Sequence, residues 1–187
     1  SSAEDGVASG EEAVRVEPLS LSANVQLGWR YHAAGRFDDA ARRLEHALEL
    51  EPRYPMAHWL LGQSYLTLGR HDEGIAELRT AAELSGNLAW IVATFGCGLA
   101  HVGRIDEARA ILADLTRRAE NEYVRAFLFA LLHAYLGEED RAMTWLERAR
   151  QERDLSLPYF GVKSHGFNVI GIPTRYLSES KRAAFLD

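Results

Sequence analysis

The chain has one cysteine, Cys97, in 187 residues. That excludes an internal disulfide framework and suits a reducing cytoplasm, which is the expected location. No apolar stretch approaches membrane-spanning length, so no contact with a membrane is expected. No signal peptide is recognisable, although the chain opens Ser1-Ser2 without a methionine. Every glycine motif follows a helical pattern instead of a strand, so a phosphate-cradling loop is missing. The seven histidines, His32, His46, His58, His71, His101, His133 and His165, include no pair at the spacing of a zinc-binding helix. Neither a metal nor any other cofactor is expected. The net charge of −6 opposes a surface that tracks phosphates. Arg117, Arg118, Arg141, Arg148, Arg150 and Arg153 gather late, but Glu147, Glu152 and Asp154 interleave with them. A solvated face with local ion pairs is the expectation there, and direct nucleic-acid binding is not.

What the chain does have is a period. Gly35, Gly69, Gly103 and Gly137 stand 34 residues apart, and Asp38, Asp72, Asp106 and Asp140 follow them. Small residues recur at the same step in two further slots: Gly28, Gly62, Gly96 and Ala130, then Ala40, Gly74, Ala108 and Ala142. A helix running up to the glycine, a left-handed turn at the glycine and a second helix capped by the aspartate would set these small slots face to face. Tyr31, Tyr65, Leu99 and His133 are large in every copy and should wedge between neighbouring helices.

These features resemble the tetratricopeptide repeat, a helix–turn–helix unit of this length. The first copy carries Leu27, Gly28, Tyr31, Gly35, Phe37, Ala40, Leu44, Ala47 and Pro52 where the family pattern places those types, and later copies keep subsets of them. The resemblance implies an all-α fold, a right-handed α-solenoid of antiparallel helix pairs, with four repeat units at 21–54, 55–88, 89–122 and 123–156. Residues 1–20 are expected to be partly disordered, with 9–18 the remnant of a preceding second helix, because Ala13 and Pro18 lie one period before Ala47 and Pro52. The register thus starts inside a repeat, and the native protein is expected either to fray there or to continue N-terminally. Residues 157–187 are expected to form a capping segment with a short helix. Leu157-Pro158-Tyr159-Phe160 and Trp145-Leu146-Glu147-Arg148-Ala149 also resemble the last repeats of bacterial signalling proteins that join such arrays to winged-helix, adenylate cyclase or serine/threonine kinase domains.

In arrays of this kind the first helices line the inner, concave wall. The inward slots hold Val25, Trp29, His32, Met56, Trp59, Gln63, Trp90, Cys97, His101, Phe127, Leu131 and Tyr135, with no lysine, arginine, aspartate or glutamate among them. Such a wall suits an apolar helix or an extended peptide with hydrophobic anchors. It does not suit an acidic tail, since family members that clamp the carboxylate terminus of chaperones carry lysine, asparagine and arginine where this chain has Val25, Trp29, Trp59, Gln63 and Cys97.

The chain therefore reads as a non-catalytic interaction module with a protein or peptide partner. One alternative is a small-molecule sensor that uses the same concavity. Another is self-association, a homodimer through an exposed repeat end at residues 21–34. The segment 157–187 could also lie across the groove and satisfy its side chains internally. Cys97 and His101, one helical turn apart, have no third orienting group for nucleophilic catalysis. His32 and His101 are the histidines placed to bond a ligand, while His58 and His133 fill large-residue slots as packed, hydrogen-bonded side chains.

Overall fold

The fold is seen in a computed structural model that describes residues 2–154; the expected capping segment at 157–187 lies outside the described residues. The regular elements among them are nine helices: α1 (Ser2–Val16), α2 (Leu21–Ala33), α3 (Phe37–Leu50), α4 (Pro55–Thr67), α5 (His71–Leu84), α6 (Ala89–His101), α7 (Ile105–Arg118), α8 (Ala126–Tyr135) and α9 (Glu139–Gln151). They fall into two compact units, residues 2–87 with α1 to α5 and residues 88–154 with α6 to α9. The starts of α2, α4 and α6 are separated by the sequence period, and so are those of α3, α5, α7 and α9.

Each hairpin is closed at its glycine. Gly35, Gly69, Gly103 and Gly137 have φ of 77°, 78°, 83° and 75°, the left-handed region in which a Cβ is costly. The residue after each glycine donates its amide to a carbonyl five residues back: Arg36 to Tyr31 at 2.8 Å, Arg70 to Tyr65 at 2.9 Å, Arg104 to Leu99 at 2.8 Å and Glu138 to His133 at 2.9 Å. This satisfies an orphan carbonyl at the end of the first helix and passes the chain straight into the second.

That hand-over corrects the expectation that the aspartates cap the second helices. The N-cap residues are Arg36, Arg70, Arg104 and Glu138, and none makes a side-chain cap hydrogen bond. Asp38, Asp72, Asp106 and Asp140 sit inside the first turn, where their charge favours the helix dipole instead. The N-terminal segment also differs from the expected partly disordered start, because α1 is helical from Ser2 and not merely over a short remnant near residue 9. In the fourth copy the first helix begins three residues late, at Ala126. Glu120, Asn121 and Glu122 donate back to carbonyls of Arg117 and Arg118, so the last turn of α7 is prolonged and Tyr123 stays exposed.

Within the first unit α2 packs on α3, α4 on α5, and α1 against α2; α2 also touches α4. In the second, α6 packs on α7 and α8, and α8 on α9. The small slots do meet. A Cβ built on Gly62 would stand 2.9 Å from the carbonyl oxygen of Gly74 and 2.8 Å from Leu78 Cγ, and one on Gly74 would stand 2.9 Å from the carbonyl oxygen of Gly62. Gly28 faces Leu44 at 2.7 Å, and Gly96 faces Leu132 at 2.7 Å and Ile111 at 2.8 Å. The large slots are buried, with Tyr31, Tyr65, Leu99 and His133 at 8%, 6%, 1% and 7% exposure.

The tightest of these contacts is the one most sensitive to a methyl group. Gly62→Ala improves helix propensity by about 1 kcal/mol, yet it should lower stability by about 1–3 kcal/mol because α4 and α5 must separate. Chemical denaturation of the two chains checks this, and a neutral or stabilising result would show that the helix pair can relax.

Candidate functional site

The twelve inward residues divide evenly between the units. Val25, Trp29 and His32 on α2 and Met56, Trp59 and Gln63 on α4 form the first-helix face of the first unit. Trp29 and Trp59 stack with ring centroids 6.2 Å apart and planes 19° from parallel. Trp29 is 37% exposed and Trp59 5%. Val25, His32 and Gln63 are buried, and Met56 is half-buried.

His32 is the unusual member. Ser64 Oγ donates to the Leu60 carbonyl at 3.0 Å and stands 3.0 Å from His32 Nδ1. With its hydrogen committed, the hydroxyl accepts from Nδ1–H, which fixes the tautomer and leaves Nε2 as a bare acceptor. Nε2 is buried with no hydrogen-bond partner among the described residues. Burial lowers the His32 pKa to about 4, so the ring is neutral at neutral pH. The edge of its ring meets Phe37 at 5.1 Å between centroids.

His58 has the opposite environment. Its Nδ1 lies 2.5 Å from a Glu77 carboxylate oxygen and its Nε2 2.9 Å from the Pro52 carbonyl. Both partners are acceptors, so both nitrogens carry hydrogens and the ring is an imidazolium. Burial works against that charge, but Glu77 and the carbonyl outweigh it and raise the pKa. His133 likewise bonds Glu138 at 2.8 Å. These two are packed and hydrogen-bonded.

In the second unit, Trp90, Cys97 and His101 lie on α6, and Phe127, Leu131 and Tyr135 on α8. Cys97 is fully buried, and burial pushes its thiol well above the ordinary range. A thiol held protonated in that way is neither a nucleophile nor a surface contact. Phe127, Leu131 and Tyr135 are also buried, at 2%, 3% and 4% exposure, which leaves Trp90 and His101 as the half-buried members. The face is therefore largely core, a property that the inward spacing by itself does not reveal. No group of three or more His, Cys, Asp or Glu side chains among the described residues could hold a metal ion. No helix among them is long and apolar enough to cross a membrane.

Four arginines of the second unit pair with acids three or four residues away along the chain. Arg117 pairs with Asp114 and Arg118 with Glu122; Arg148 meets Glu152 at 2.8 Å and Arg150 meets Glu147 at 2.8 Å. Glu138 accepts from His133, from Arg109 at 2.9 Å and from Arg141 at 3.3 Å.

Comparison with known proteins agrees with this architecture. The family model described as tetratricopeptide repeat matches residues 25–89. Among solved structures, TTC0263, a thermophilic TPR protein of Thermus thermophilus, superposes with a TM-score of 0.67 at 20% identity, covering 81% of this chain and 84% of that one. YrrB, described as a TPR protein with an unusual peptide-binding site, gives 0.54 at 22% identity over 83% of this chain and 81% of its own. MamA gives 0.58 at 19% identity over 82% and 90%. No curated protein sequence matches. The fold is thus an all-α solenoid type built of helical repeats.

The two histidines of the first unit make stability depend on pH in opposite senses. His32, depressed to about 4 from 6.5, contributes stability that is present above about pH 6.5 and lost as pH falls toward 4, by up to about 3 kcal/mol. His58, raised, contributes stability that is present below about pH 6.5 and lost as pH rises through its folded value. His32→Phe should therefore flatten the acid limb of the stability profile, and His58→Gln should destabilise more at about pH 6 than at about pH 9. Urea midpoints across that range test both, and parallel profiles for wild type and His32→Phe would contradict the assigned tautomer and burial.

Proposed function

We propose that this tetratricopeptide repeat chain is a protein-interaction module that binds an apolar helix or extended peptide on its first-helix face, with no catalytic role of its own. Proteins of this repeat class are generally interaction scaffolds, and that general role is the starting point. The observation that carries the reading is the Trp29–Trp59 stack, in which one ring is buried and holds the other at the surface. A rigidly backed, partly exposed indole loses little entropy when a partner covers it, so it is a natural energetic centre for an interface. The uncharged surroundings favour an apolar anchor in that position and disfavour an acidic tail.

YrrB's printed description names a peptide-binding site, which supports a peptide partner for a chain of the same fold. The resemblance of Trp145-Leu146-Glu147-Arg148-Ala149 to bacterial signalling proteins supports placing this module in a larger regulatory polypeptide of the cytoplasm.

The test selects binders from a displayed peptide library on the full chain and measures their affinity by fluorescence anisotropy. Trp29→Ala should weaken selected peptides by about tenfold or more with little change in denaturation midpoint. Trp59→Ala, which removes a buried ring, should cost about 3–5 kcal/mol of stability. Selected peptides that bind Trp29→Ala as well as wild type would refute the placement of the site.

A further inference from the structure

The first turn of α4 lacks a side-chain cap. Tyr54 stands at the N-cap without a side-chain hydrogen bond, and Pro55, the next residue, has no amide hydrogen to give. The side-chain hydrogen bond that ties this turn to the chain before it comes from His58, whose Nε2 donates to the Pro52 carbonyl at 2.9 Å. Through Nδ1 the same ring holds the Glu77 carboxylate on α5 at 2.5 Å. One side chain thus joins the start of α4 both to the α3–α4 turn and to α5. Met56 and Trp59, which belong to the first-helix face, precede and follow His58 along α4.

Both bonds hold only while both ring nitrogens carry hydrogens. A neutral imidazole has one, and it stays with the carboxylate, the stronger acceptor. The lone pair of Nε2 then faces the Pro52 oxygen, and two acceptors at that distance repel. Losing one proton therefore opens the link to the incoming turn and keeps the link to α5. The other titrating groups of the helices around α4 are engaged elsewhere. On α3, Glu45 accepts from Tyr65 at 2.6 Å and lies 3.7 Å from Arg70. In the α3–α4 turn, Glu51 accepts from the Arg53 amide at 3.1 Å. On α2, His32 is neutral and bonded to Ser64. Glu77 is the charged group that bears on the His58 ring.

We propose that His58 is a pH-sensitive clasp on the Trp29–Trp59 face. With both nitrogens protonated it pins the first turn of α4. On losing one proton it frees that turn together with Met56 and loosens the backing that Trp59 gives to Trp29. The direction follows from the partners, since Glu77 and the Pro52 carbonyl raise the His58 pKa against the effect of burial. The clasp is closed below about pH 6.5 and opens as pH rises through the folded-state value. Its effect on a partner rests on the proposed docking of a peptide at this face, whereas the clasp itself does not.

Stacked indoles give an exciton couplet in far-ultraviolet circular dichroism, and the contribution of the Trp29–Trp59 pair is the difference between the full chain and its Trp29→Phe variant. Between about pH 6 and about pH 9 this couplet should lose intensity with the same midpoint as the His58 ring signals in NMR, which are assigned by their loss in His58→Gln. Glu77→Gln should move both midpoints down by about one pH unit or more. His58→Gln, which cannot titrate, should leave the couplet flat. Peptides selected on the full chain should bind about fivefold more weakly at the upper pH than at the lower, and equally at both in His58→Gln. A couplet that stays constant while His58 titrates, or that still titrates in His58→Gln, overturns the clasp. A couplet that titrates as expected in a chain for which no peptide can be selected supports the clasp and refutes the docking of a peptide.

Discussion

Everything in each hairpin depends on two helices approaching closely enough that a methyl group does not fit between them. At Gly62 and Gly74 the backbones themselves are in contact, since each missing Cβ would fall on the other residue's carbonyl oxygen. This closeness explains why small residues recur at these two slots and why the intervening segment keeps one length. It also explains why the remaining faces of the helices are free to vary. Dispersion and apolar burial act over the whole contact, so the gain is spread along the helices and is not concentrated in single bonds. Where the small slot faces a large partner, as Gly28 faces Leu44 and Gly96 faces Ile111 and Leu132, the same rule holds with side chain in place of backbone.

Polar groups are distributed so as to leave the first-helix face uncharged. Arg36 pairs with Asp39, Arg70 with Glu73 and Arg104 with Glu107, all at the start of second helices, and the fourth copy exchanges the signs in Glu138 with Arg141. Such exposed pairs add little stability individually. Their effect is on placement, because the charges are held at turns and on second helices. The Tyr–Glu contacts differ, since they join one hairpin to the next and have a buried ring at one end.

The period made the hairpins, their glycine turns, the close small-residue contacts and the large wedges readable before any coordinates, because each is a local consequence of residue type at a fixed slot. The aspartates misled for a physical reason. The turn at the glycine delivers the chain into the next helix so directly that Arg36 and its counterparts occupy the cap, one turn position earlier than a side-chain cap would require. Burial on the first-helix face was also beyond the pattern. Inward spacing marks a direction, and it does not say whether Cys97, Phe127 and Leu131 meet solvent or their own neighbours. The bare nitrogen of His32 depends on where the Ser64 hydroxyl sends its hydrogen, a contact between the first helices of neighbouring repeats that no spacing rule encodes.

The Trp29–Trp59 face is apolar and backed by buried side chains, so a partner docked as proposed would gain affinity mainly by removing indole surface from water, with weak dependence on salt.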